Sequence, residues 1–224
     1  MSIHNESFPA LGAAFSSSET VGLTSASASG ASVKRLLDLV LALLALGTLL
    51  PLLAVIAAAV KLDSSGPIFF HQRRAGRHGK IFHIIKFRSM SVLEDGAQIV
   101  QAKTGDTRVT RIGRFLRRSS LDELPQLLNV IAGEMSLVGP RPHALAHDEY
   151  YGSRIANYRR RQAVRPGITG WAQVNGARGA TPKLSDMQAR IDFDIAYVER
   201  DSLWLDILIL LRTPFEVLRR RNAV

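Results

Sequence analysis

No cysteine occurs in the chain, which removes disulfides, thiolate metal sites and a cysteine nucleophile and suits a reducing compartment. Acidic residues are also scarce: 19 Asp and Glu stand against 29 Lys and Arg, a net charge of +10. Such an excess points to phosphate-bearing partners, whether nucleic acid, anionic membrane or nucleotide substrate, and is silent on fold. Neither a G-x-S-x-G elbow nor a G-x-G-x-x-G fingerprint is present. His143 and His147 are four apart, but no Glu follows His143 as a zinc H-E-x-x-H helix requires, so zinc is not expected. At 224 residues the chain can bury one real core but cannot hold a polytopic carrier together with an enzyme. Its chemistry must come from carboxylate, His, Lys, Arg or hydroxyl groups.

Residues 1–33 are rich in Ser, Ala and Gly and poor in large apolar groups, the composition of a disordered leader. They lack the basic and apolar regions of a secretory signal. Charge then vanishes from Leu39 to Val60, a run about 33 Å long as a straight helix against a hydrocarbon core of about 30 Å, so residues 34–62 are expected in a membrane. Pro51 sits near its middle, where it removes a backbone hydrogen bond and clashes with the carbonyl of Gly47. Lys34 and Arg35 precede the run, while Lys61, Arg73, Arg74, Arg77 and Lys80 follow it. A single crossing would place one basic group outside, against the positive-inside tendency, whereas a helix-break-helix returning to one face keeps both inside. Kinked crossings are the commoner architecture, so both remain open on these grounds.

The basic excess falls after residue 62. Residues 67–72 and 80–87 are aromatic and β-branched around a Gly-rich turn at 75–79, which predicts a β-hairpin. Helical patterns follow at 109–117, 121–132 (closed by Gly133), 186–198 and 203–221, the last amphipathic with a basic end, suited to a membrane surface or to a core. Pro125 is tolerated only in a first turn, so a helix starts near Leu121–Asp122, and Ser120 with Glu123 reads as a capping box. Asp122 and Glu123 then stand at a helix N-terminus and should both be ionised near neutral pH. Such carboxylates can serve as caps alone, or can attack phosphorus and bind Mg²⁺. Arg111, Arg114, Arg117 and Arg118 precede the pair, and Lys86 and Arg88 end the hairpin, as phosphoryl transfer would require or a lipid-anchoring face would equally show. Two prolines stiffen Gly139-Pro140-Arg141-Pro142 around an arginine, and residues 165–176 carry glycines that allow close backbone approach, a weak phosphate loop.

These motifs in this order resemble the bacterial sugar transferases, monotopic polyprenyl-phosphate hexose-1-phosphate transferases. The likeness runs from Lys34 to the C-terminus through Lys34-Arg35-Leu36-Leu37-Asp38, Lys86-Phe87-Arg88-Ser89-Met90, Ser120 to Gln126, Gly139 to Pro142 and Arg165 to Trp171, and it is to the family's minimal catalytic form. It implies an α+β, mostly helical monotopic membrane enzyme with a re-entrant helix broken at Pro51, a small hairpin and interfacial amphipathic helices, residues 63–224 forming a catalytic domain on the membrane surface. It further implies that Asp122 attacks a UDP-hexose, releases UMP and hands hexose-1-phosphate to undecaprenyl phosphate. Glucose is favoured as the hexose, galactose next. Mg²⁺ would be held by Asp122 and Glu123, with Glu123 supporting the metal or acting as base, and Lys86, Arg88, Arg117 and Arg141 would bind phosphate. The expected setting is the cytoplasmic face of a bacterial inner membrane, among its lipids, with no nucleic acid and with homo-oligomerisation left open. The rival reading is a membrane-anchored basic binding module without catalysis.

Overall fold

The protein was analysed as a computed structural model that describes residues 28–91 and 105–219. Residues 1–27 of the expected leader lie outside the described residues, and 28–33 are already helical, since α1 spans Ala28–Asp63. Once a helix exists, each added residue contributes one hydrogen bond, so an apolar segment readily extends into a weak-propensity flank.

Pro51 does not divide α1: the helix continues on both sides of it as a single element of 36 residues. Helical hydrogen bonding runs past it, because proline withholds one N–H while its neighbours keep theirs. Next to that weak point the Thr48 hydroxyl donates to the carbonyls of Leu44 (2.8 Å) and Ala45. Leu43, Leu44, Leu50, Leu52 and Val55 are exposed, and α1 is long and apolar enough to cross a membrane.

Both ends of α1 pack on the same folded body. After α1 come β1 (Phe69–Ala75), β2 (Ile81–Phe87), α2 (Arg111–Ser119), α3 (Gln126–Ala132) and β3 (Ser136–Val138). At the N-terminal end Ala42 is buried with Phe82, Ile84, Leu127, Val130 and Met135. Arg35 donates to the last carbonyls of α3, at Val130 and Ile131, and the buried Asp38 accepts from Ser136 Oγ and Leu137 N–H. At the other end Ile56 and Val60 are buried against Phe87 and Leu116, while Asp63 accepts the N–H of Ile112 in the first turn of α2. Each such fully buried aliphatic side chain contributes about 1.5–3 kcal/mol.

The expected hairpin forms. β1 and β2 pair antiparallel from Phe69↔Phe87 to Ala75↔Ile81 around a turn in which His78 takes a positive φ of 56°. Asn129 of α3 stands in for a third strand, accepting from Ile85 N–H (3.0 Å) and donating to His83 O (2.8 Å). Gly133 closes α3 in the left-handed region, as its position after the helical pattern predicts.

The rest of the chain adds α4 (Leu145–Gly152), β4 (Gly167–Thr169), α5 (Trp171–Val174), α6 (Leu184–Glu199) and α7 (Leu203–Arg219). Among the described residues the molecule is thus mostly helical with two two-stranded sheets, the second being a parallel pair, β3 with β4, that three-residue strands leave invisible to sequence periodicity. Gly139 follows β3 so closely packed on this pair that a Cβ there would stand 2.3 Å from Arg165 O. Gly167 and Gly170 face the Gly139 backbone in the same way, so these glycines admit another strand rather than a phosphate. α7 buries Asp206 and Ile209 and exposes Trp204, Ile207, Leu211, Phe215 and Leu218 along one face.

Candidate active site

The site is built on a tight turn. Ser120 ends α2 in the left-handed region (φ 60°), and a single 3₁₀ turn, Leu121–Glu123, leads through Leu124 and Pro125 into α3. A helical turn does start at Leu121, but the capping box does not form: the Ser120 side chain makes no cap hydrogen bond and Glu123 faces elsewhere. Two cations outcompete a neutral backbone N–H for that carboxylate, because charge-assisted bonds are roughly twice as strong.

Those cations come from distant elements. Lys86, near the end of β2, places Nζ 2.9 Å from Glu123 Oε1. Arg141, held between its two prolines, donates Nη1 to Glu123 Oε2 at 2.9 Å and Nη2 to Oε1. Burial pushes the Glu123 carboxyl up, but Arg141 and Lys86 outweigh it and hold it well below the carboxylate range. Asp122 is only 7% exposed and has no hydrogen-bond partner among the described residues. Burial, then the charge of Glu123, pushes it up to about 6, against the pull of Lys86, Arg117 and Arg141. Burial lowers Lys86, with Glu123 opposing, and Glu123 raises Arg141. Adjacent carboxylates therefore have opposite environments: one locked into a part-buried ion-pair triad, the other buried without a hydrogen bond among the described residues.

The other expected residues divide. Arg117, in the last turn of α2, acts on Asp122 by its charge and donates to Met90 Sδ. Arg88 is not in the cluster. It is 3% exposed, and its guanidinium caps the C-terminal end of α1, bonding the carbonyls of Val60, Ser64 (2.6 Å) and Ser65 (2.6 Å). His143 turns Nδ1 to Tyr158 Oη (2.6 Å) and Arg161, while His147 lies edge-on to Tyr151.

Three arginines that sequence reading passed over complete the surroundings. Arg161, paired with the buried Asp194, donates Nη2 to the carbonyl of Arg141 and so fixes the backbone that aims Arg141. Arg178 donates to Ser120 Oγ, and Arg190 bonds the carbonyls of Ala177 and Gly179. Arg161 ends the run Arg159-Arg160-Arg161, of which only Arg161 is buried, and a charge run carries no signal of which member turns inward. For Arg178 the one visible signal was its Gly-rich flanks, Gly176 and Gly179.

The chain is similar to known proteins along most of its length. The model of the bacterial sugar transferase family matches residues 29–220. The UDP-glucose:undecaprenyl-phosphate glucose-1-phosphate transferase of Xanthomonas campestris pv. campestris is 55% identical over 191 residues, covering 85% of this chain and 40% of that protein. The protein of the same name from Caulobacter vibrioides is 53% identical over 190 residues, covering 85% and 71%. The exopolysaccharide production protein PSS of Rhizobium leguminosarum bv. phaseoli is 44% identical over 192 residues, covering 84% and 96%. The chain thus spans about two fifths of the length of the first of these relatives and nearly all of the last.

Proposed function

The chain belongs to the bacterial sugar transferase family, and from that premise we propose that it moves hexose-1-phosphate from a UDP-hexose to undecaprenyl phosphate, with Asp122 as nucleophile. One observation carries the reading: beside a Glu123 bound by two cations, Asp122 is buried, free of hydrogen bonds among the described residues, and close to the charges of Lys86, Arg117 and Arg141. In the first step an Asp122 carboxylate oxygen attacks the β-phosphorus, the bond from that phosphorus to the bridging oxygen breaks, and UMP departs with the electron pair. In the second an oxygen of undecaprenyl phosphate attacks the same phosphorus, and the bond to Asp122 breaks, regenerating the carboxylate. Glu123, held below the range where it could take up a proton at neutral pH, keeps Lys86 and Arg141 in place beside the reacting phosphorus rather than acting as base. The relatives named for UDP-glucose favour glucose as the hexose over galactose.

The donor set suits Mg²⁺, which is ordinarily held by one or two carboxylates together with substrate phosphates. Asp122 would hold it, since both oxygens of Glu123 are engaged by Arg141 and Lys86. When bound it supplies charge neutralisation on the diphosphate.

In our reading α1 enters the cytoplasmic leaflet of the inner membrane and returns, with Pro51 at its deepest part. The packing of both ends of α1 on one body supports this, as does the exposed apolar stretch between them. The apolar face of α7 suits the same surface, where the site can meet a lipid phosphate and a soluble nucleotide. The test is UMP release by the purified protein with Mg²⁺, undecaprenyl phosphate and a panel of UDP-sugars. Release that needs the lipid and one sugar supports the proposal and names the donor; no release from folded protein with any sugar overturns it.

A further inference from the structure

Lys86 and Arg141 are both engaged by Glu123, yet a nucleotide donor would bring a diphosphate to the same place. A further cation reaches the turn that carries Asp122, and it makes no ion pair among the described residues. Arg178, half-buried in the loop between α5 and α6, donates Nη2 to Ser120 Oγ, two residues before Asp122. Glu123, Arg141 and Asp122 are among the charges that act on it, and burial lowers its pKa. Its guanidinium is therefore partly stripped of water with only a hydroxyl in return.

The loop around Arg178 is fixed from behind. Arg190 of α6, 7% exposed, donates Nε to Ala177 O (3.0 Å) and Nη2 to Gly179 O (2.6 Å), the two carbonyls that flank Arg178. Gly176 and Gly179 take φ of 87° and 97°, a region that side chains with a Cβ rarely enter. A buried cation with two charge-assisted bonds to the carbonyls on either side of one residue fixes the direction in which that residue projects.

We infer that Arg178 is a phosphate-binding residue of the donor site, contacting the diphosphate of the nucleotide sugar, and that Arg190 is its positioning residue. This rests on the transferase reading above. The competing role for Arg178 is to hold Ser120 in its left-handed turn, and Ser120→Ala separates the two because it removes the contact and keeps the cation.

The experiment measures kcat and KM for UDP-glucose, and product inhibition by UMP, on the full chain in detergent. Wild type is compared with Arg178→Ala, Arg178→Lys, Ser120→Ala, Arg190→Gln and Arg190→Lys, each checked for unaltered thermal unfolding. Arg178→Ala is expected to raise KM and the UMP inhibition constant at least tenfold with a smaller change in kcat, and Arg178→Lys to fall between. Ser120→Ala should stay within twofold of wild type, and Arg190→Gln should raise KM in a manner that Arg190→Lys partly restores. Equal losses in Ser120→Ala and Arg178→Ala, or unchanged KM and UMP inhibition in Arg178→Ala, would overturn the inference. If wild type releases no UMP the transferase reading fails by itself. Calorimetric binding of UDP to wild type and Arg178→Ala then decides on Arg178, with equal affinity, or no binding to either, counting against it.

Discussion

Arg141 holds Glu123 through both terminal guanidinium nitrogens across 18 residues of chain, while Asp122, one residue away, is left without a hydrogen bond among the described residues. Two neighbouring carboxylates are thereby given opposite energetics, and the difference can be read in stability as well as in activity.

Asp122→Asn should abolish turnover and at the same time stabilise the protein. The Asp122 pKa is raised to about 6 in the folded state, so its ionisation costs stability that is lost as pH rises from about 4 to 6 and stays lost above. A two-unit shift corresponds to at most about 3 kcal/mol. In divalent-free buffer, thermal unfolding at pH 8 should move up in the variant and the gain should vanish near pH 4. Turnover at the wild-type rate would remove Asp122 as nucleophile.

Glu123→Gln should act in the opposite sense. It takes from the part-buried Arg141 and Lys86 their nearest counter-charge, so unfolding should come at lower temperature at pH 8, by less than the roughly 3–5 kcal/mol typical of a fully buried pair because ionised Asp122 still faces them. A variant as stable as wild type would show that the triad contributes nothing to the fold.

The pH profile of kcat/KM at limiting Mg²⁺ should rise from pH 5 to 7 with an apparent pKa near 6, and rising Mg²⁺ should move that pKa down, because only ionised Asp122 can attack and the cation it would hold favours the ionised form. A profile flat through this range would mean that another group limits the rate.

Arg88→Ala should leave KM for the UDP-sugar within twofold while lowering stability by about 2–3 kcal/mol, since the guanidinium bonds the carbonyls that end α1 and contacts no member of the acidic pair. A tenfold rise in KM at unaltered stability would return Arg88 to the phosphate site.

The absence of native cysteine makes topology directly readable. Ala31→Cys and Leu62→Cys place single thiols at exposed positions near the two ends of α1. A membrane-impermeant maleimide should label both in inverted inner-membrane vesicles and neither in intact spheroplasts. One thiol labelled in each preparation would mean a straight crossing.

Much of the architecture is carried by local physics. An uncharged apolar run, two aromatic and β-branched stretches around a Gly-rich turn, and a proline that tolerates only a first helical turn each specify an element through its own neighbours. The Asp122-Glu123 turn and the Gly133 stop were legible for that reason, and the motif order placed the family. Which cation meets which acid was not legible. Lys86 and Arg88 are two residues apart at the end of one strand, yet the first reaches Glu123 and the second the end of α1. Arg178 meets Ser120 across 58 residues, and the β3–β4 pair that brings Arg141 into place joins strands of three residues each. Among 29 Lys and Arg the sequence offers many equivalent charges, and a long flexible side chain has no partner until distant segments pack. Local rules therefore set the elements and the candidate acids, while burial and long-range pairing alone decided which carboxylate was paired and which was left without a hydrogen bond among the described residues.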